Sequence, residues 1–257
     1  MRAGIFKRVF SPKVYNLPSC GMALSRRLLP RRHTALLVAL VVMIFTRPLI
    51  GNVGFGLIVF SIAVIILMVL SLYTVQVDEL TGEREALMAR RRKQSKIVRL
   101  LAIPAIADRL AAGLVSSPSL ILAGSIFWLV LFAYITWNLL RAIIKQKEVT
   151  SETISMSVSV YLLMAVTWCF LYGLLFSLQP HAFSFGSSPA PTSMPEIFPL
   201  FLYFSLTTIS TIGFGDITPL TLQARYAAVA EGITGQFYLA ILVARLVGLY
   251  MTRSSEP

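Results

Sequence analysis

The residue types best suited to chemistry in this sequence fall together at Thr211, Ile212, Gly213, Phe214, Gly215 and Asp216. Glycine recurs at 213 and 215, and glycine takes a positive φ that a Cβ resists. A backbone that changes the sign of φ at every second residue turns successive carbonyl oxygens to one side. Such a row suits one task, which is to surround a cation that has left water. Stripping a bare ion of its solvent costs on the order of tens of kcal/mol by Born reasoning, and only a dense set of oxygens replaces that loss. The carbonyls of Thr211, Ile212, Gly213 and Phe214, with the Thr211 hydroxyl, are the oxygens on offer. One strip covers only part of an ion's shell, so several copies of the chain must face one another.

No other catalytic grouping competes with this one. No nucleophile beside a base, no metal-ligand cluster and no phosphate loop is assembled, and the glycines open no βαβ unit. The reading is therefore not an enzyme, and no cofactor is expected beyond a permeant ion. Cys20 and Cys169 make no disulfide framework.

The elements that must hold the strip are membrane helices. Of 257 residues, 56% are hydrophobic and only 13% charged, which excludes an ordinary soluble domain. The net charge of +12 is clustered: the first 33 residues are basic and free of acid, and further clusters fall at 90–99 and 141–147. Basic segments beside apolar spans belong on the cytoplasmic side. They lack the interleaved aromatics of a nucleic-acid groove, so no nucleic acid is expected. Anionic lipids are the expected partners of the basic amino terminus and the 90–99 cluster.

Apolar runs predict spans at 34–50, 53–73, 119–144, 157–178 and 222–250, with Arg47 snorkelling at the outer end of the first. Residues 97–115 are apolar but interrupted by Arg99, Pro104, Asp108 and Arg109. Parity makes them a span as well: with a cytoplasmic amino terminus, an even number of crossings must precede the helix at 157–178. Residues 180–195 read as an irregular outer loop with a solvated His181. Residues 199–210 read as a short helix with Pro199 in its first turn. At about 18 Å it falls short of about 30 Å of hydrocarbon and must turn back into the strip, its partially negative end aimed at the membrane centre. The chain thus divides into a basic segment 1–33, a four-helix membrane domain 34–147 and a domain 148–257 that carries the strip.

The string at 211–216 resembles the selectivity filter of potassium channels, written Thr-Val-Gly-Tyr-Gly-Asp in many members, and residues 198–235 are similar to that family's pore helix, filter and inner helix. Carbonyl coordination by four such loops is the accepted account of that filter. The resemblance implies an all-α membrane protein of six transmembrane helices with a re-entrant pore helix, assembled as a homotetramer in the plasma membrane with both termini cytoplasmic. It implies K+ held by Thr211, Ile212, Gly213 and Phe214, with Gly215 completing the filter. Asp216 becomes the acid of the outer mouth, Thr207 and Thr208 the pore-helix turn behind the filter, and Tyr203 and Phe204 the rings that pack around it.

The differences matter too. Ile212 replaces Val, and Phe214 replaces Tyr and so loses a hydroxyl that bonds the surrounding aromatic cuff. Support by packing alone should leave the filter more sensitive to ionic conditions. Gly232 and Gly235 sit where the family's inner helix bends, with Gly235 the expected hinge; close helix packing is the competing explanation. Glu231 lies near mid-membrane, either bonded behind the filter, with Thr207 a candidate partner, or drawing cations into the cavity. The span at 119–144 has no arginine ladder, which implies weak voltage dependence. Two other readings stay open: a potassium transporter subunit, against which stands the single filter without repeats, and a weakly selective cation channel, which an acid at 214 would have favoured.

Overall fold

The computed structural model describes residues 32–49, 118–146, 149–186 and 194–254. The spans expected at 53–73 and 97–115, the 90–99 cluster and nearly all of the basic leader lie outside the described residues. The described chain forms α1 (Arg32–Leu49), α2 (Pro118–Lys145), α3 (Ser151–Leu178), β1 (Phe183–Ser184), α4 (Met194–Ile209), β2 (Thr218–Pro219) and α5 (Leu222–Ser254). Among the described residues, the segments Leu122–Lys145, Ser151–Leu178 and Leu222–Gly248 are long and apolar enough to cross a membrane.

α3 is the hub, packing against α1, α2, α4 and α5. Its sequence explains this, because a helix that is apolar all round is one covered all round. Thr150 starts it with a capping box: its hydroxyl accepts from the Thr153 amide at 3.2 Å, and the Thr153 hydroxyl accepts from the Thr150 amide at 3.4 Å. The helix thus begins six residues before the expected 157, since Ser155, Ser157 and Ser159 do not end it. Ser157 and Ser159 satisfy themselves on the carbonyls of Thr153 and Ser155, one turn back.

α2 buries Trp128, Leu131, Phe132, Ile135 and Leu139, a helical stripe, and Trp128 and Phe132 stack on Phe170 of α3 at 5.7 and 5.2 Å. α1 buries Leu36, Leu40 and Met43 in the same manner. Its first turn is tied to the first turn of α3, where the Glu152 carboxylate accepts from the His33 amide at 3.0 Å and from the Thr34 hydroxyl at 2.6 Å. A carboxylate there satisfies an amide that a helix start leaves unpaired and meets the positive end of its dipole. α1 and α3 therefore start at the same face and α2 runs the opposite way.

α4 starts at Met194 rather than 199, so Pro199 lies inside it. Proline forfeits only the bond to the Pro195 carbonyl, close to the helix start, and the helix tolerates this. Its 16 residues still reach only about 24 Å, less than the bilayer core. The all-helical expectation also needs one correction. Within the loop assigned to 180–195, Phe183 pairs with Pro219 and Ser184 with Thr218 as a two-residue antiparallel ladder. The pairing partner follows the strip in sequence, so no local pattern announces it. His181 is exposed, as expected.

Candidate functional site

The strip hangs from the carboxyl end of α4. The Thr211 amide donates to the Thr208 carbonyl at 3.0 Å, and the Gly213 amide donates to the Thr207 carbonyl at 3.1 Å. Thr207 and Thr208 thus act through their backbones, while both hydroxyls return to the Phe204 carbonyl in their own helix.

Beyond that anchor φ alternates in sign. It is +59° at Thr211, +55° at Gly213 and +79° at Gly215, with Ile212 and Phe214 on the negative side. Glycine accepts these values freely. Thr211 does not, since a left-handed conformation costs a side-chain-bearing residue roughly 1–2 kcal/mol and is rare for a β-branched one. Strain of this kind persists where the surroundings impose it and points to function. In this chain the strip faces no covering: Ile212 is 59% exposed and Phe214 69%.

The outer side is braced on two flanks. The Tyr203 ring stacks on Phe214 at 6.2 Å with planes 2° apart. The Asp216 carboxylate lies beside the exposed Tyr203 hydroxyl. Phe204, expected to pack with it, turns the other way into the core, edge-on to Tyr172 and Phe183. The ladder between β1 and β2 then pins the chain beyond Asp216, helped by the Leu220 amide donating to the Ala182 carbonyl at 2.8 Å. Gly186, at φ +59°, lies so close that a Cβ would sit 3.3 Å from the Asp216 carbonyl oxygen.

The inner side is held by α3 and α5. The Tyr161 hydroxyl donates to the Ile209 carbonyl at 2.9 Å, capping one of the carbonyls a helix end leaves unpaired. α5 runs unbroken through Gly232 and Gly235 from a start capped by Thr221, whose hydroxyl accepts from the Ala224 amide. Gly235 abuts Ile209, whereas Gly232 meets no neighbouring atom. Close packing, the alternative to a hinge, is therefore the task Gly235 performs in this conformation.

Glu231 is fully buried, so it does not face a cavity. Its partners are not Thr207 but Tyr172, whose hydroxyl donates to Oε2 at 2.6 Å, and Ser205, whose hydroxyl contacts Oε1. Tyr161, Tyr172 and Ser205 were not legible as site residues. Each reads as an ordinary polar interruption of an apolar helix, and only the acid at 231, which must find donors somewhere, hints at them. Among the described residues no cluster of His, Cys, Asp and Glu able to hold a metal ion is present.

Residues 160–252 match the protein family described as ion channel. This part of the chain, from α3 through the strip to the end of α5, is thus an ion-channel domain of an integral membrane protein. No curated protein and no solved structure matches the chain.

Proposed function

We propose that the chain is one subunit of a homotetrameric potassium channel, which conducts K+ passively through a filter built from Thr211, Ile212, Gly213, Phe214 and Gly215. The observation that carries this reading is the alternation of φ along the strip, imposed even on Thr211. Alternation turns successive carbonyls to one side, and a K+ ion moving along them exchanges its water for a ring of oxygens supplied by four copies. Asp216 gathers cations at the outer mouth. The aromatic at 214 favours potassium over a weakly selective pore, and the single strip favours a channel over a transporter subunit.

The exposed surfaces support assembly. Leu222, Tyr226, Val229, Ile233 and Phe237 form an exposed apolar stripe along α5 at helical spacing. A stripe of this kind, continuous with an uncovered strip, calls for neighbouring copies and lipid. The channel sits in the plasma membrane with both termini cytoplasmic, where the basic segments meet anionic lipid. Purified protein in planar bilayers should give unitary current steps that reverse near the K+ equilibrium potential in a potassium/sodium gradient. Reversal near zero would replace potassium selectivity with a weakly selective pore, and slow saturable flux without steps would favour a transporter.

A further inference from the structure

Three oxygen-to-oxygen contacts run in a chain through Glu231 and Ser205. The Tyr172 hydroxyl lies 2.6 Å from Oε2, the Ser205 hydroxyl contacts Oε1, and the same Ser205 hydroxyl lies 2.8 Å from the Ala165 carbonyl oxygen. Filling each contact with its own proton, rather than splitting one Ser205 hydrogen between two acceptors, takes three protons. Tyr172 brings one, Ser205 brings one, and a backbone carbonyl brings none. The group at this node that can supply the third is the carboxyl of Glu231 itself.

We infer that Glu231 is an un-ionised acid that donates to Ser205, and that this proton fastens the inner helix to the pore helix behind the filter. The chain of donors then runs one way: Glu231 to Ser205, Ser205 to the Ala165 carbonyl, with Tyr172 donating to the free carboxyl oxygen. It joins α3, α4 and α5 in one buried network, and a fully satisfied network of this kind specifies a single packing. Among the described residues the surroundings offer a carboxylate hydroxyls but no cation. From α3 the titratable groups that face the node are Tyr172, Tyr161 and Cys169, none of them cationic, and α4 presents Ser205. Of the α5 arginines whose side chains are described, Arg225 is engaged on the Pro219 carbonyl and Arg245 on the Gln146 carbonyl. An ionised Glu231 would be a buried charge without a counter-ion, and Ser205 would have to abandon one of its two acceptors.

Glu231 is therefore a positioning residue that acts through α4 on the strip. Removing its proton at alkaline pH loosens the pore helix and stops conduction. Glu231→Gln keeps a donor for Ser205 and an acceptor for Tyr172, so it imitates the protonated acid at every pH.

The coupling to conduction rests on the channel reading above; the location of the proton does not. The test uses the full chain reconstituted in lipid. Infrared spectra at neutral pH should show the carbonyl band of an un-ionised carboxyl that Glu231→Gln removes and that Ser205→Ala shifts, because the acid loses its acceptor. A wild-type spectrum with only ionised carboxylate bands at that position overturns the proposal. In flux assays the wild type should lose most of its K+ flux as that band bleaches with rising pH, while Glu231→Gln stays flat. Identical pH profiles for both proteins overturn the coupling. Absence of flux from both sinks the channel reading, and the infrared band still decides where the proton sits.

Discussion

A Cβ on Gly235 would lie 2.8 Å from the carbonyl oxygen of Ile209 and 2.6 Å from its Cγ1. α5 thus crosses the end of α4 at a separation that leaves room for hydrogen alone. A side chain can turn aside, but a backbone carbonyl already capped by Tyr161 cannot. Gly235→Ala is expected to destabilise the protein by about 1–3 kcal/mol through overpacking and to depress conduction with it. Gly232→Ala meets no atom of its own chain and gains up to about 1 kcal/mol of helix propensity, so it should be neutral or stabilising. Thermal unfolding in detergent, followed for both variants, checks the contrast. Equal losses would favour a hinge role shared by the two glycines.

Removal of the Tyr161 hydroxyl tests the other half of that junction. Tyr161→Phe preserves the ring, which stacks on Tyr238 at 6.1 Å, and leaves the Ile209 carbonyl without its cap. An unsatisfied buried acceptor costs about 1–3 kcal/mol. The variant should assemble, unfold at lower temperature and spend less time conducting. Unaltered single-channel lifetimes would show that the strip does not sense the end of α4.

The strip itself is tested by Gly213→Ala. Space is not the obstacle, because a Cβ there meets nothing within 4 Å in the chain. Conformation is: φ is +55°, where a Cβ costs roughly 1–2 kcal/mol, multiplied over every copy around the pore. Conduction should disappear while the oligomer survives, as read by bilayer recording beside size-exclusion chromatography. Normal currents would count heavily against carbonyl coordination.

How legible all this was depends on the range over which each feature is encoded. Gly213 and Gly215 announce alternating φ locally, and the long apolar runs of α2, α3 and α5 announce themselves by length. Thr211 does not, because nothing in a threonine predisposes it to φ +59°; the anchors on Thr207 and Thr208 impose it. The start of α4 is hidden because Pro199 looks like a first-turn proline, while the cost of an interior one depends on a single bond near the helix start. The β1–β2 ladder and the partners of Glu231 join segments 26 to 59 residues apart or bracket the strip, beyond any periodic signal. For the ladder and for Glu231 the residue that decides comes from another element.

Phe214 leans on Tyr203 where the family it resembles uses a hydroxyl. The parallel stack at 6.2 Å is a packing contact, and aromatic pairs are worth about 0.5–1.5 kcal/mol beyond their buried area. Tyr203→Ala should therefore make conduction fail sooner when external K+ is lowered, since ions in the strip then hold it together alone. Phe204→Ala should instead unfold the protein, because its ring is buried against Tyr172 and Phe183. Current decay at low and high external K+ separates the two effects.

Voltage should have little hold on this pore. One charge crossing 100 mV gains only about 2.3 kcal/mol, so steep gating needs several charges that move. α2 carries none from 119 to 140, and Arg141 sits toward its carboxyl end with its guanidinium 4.7 Å from the Trp137 ring centroid. The helix is also fastened to α3, by the Trp128 and Phe132 stacks on Phe170 and by the hydroxyls of Thr136 and Thr167 at 3.2 Å. A helix without charge and wedged into the core neither feels the field nor slides in it. The conductance–voltage relation between −100 and +100 mV, a range on the order of cellular potentials, should be shallow and unchanged by Arg141→Gln. A steep curve would mean that charge outside α2 moves with the field and acts on the filter from there.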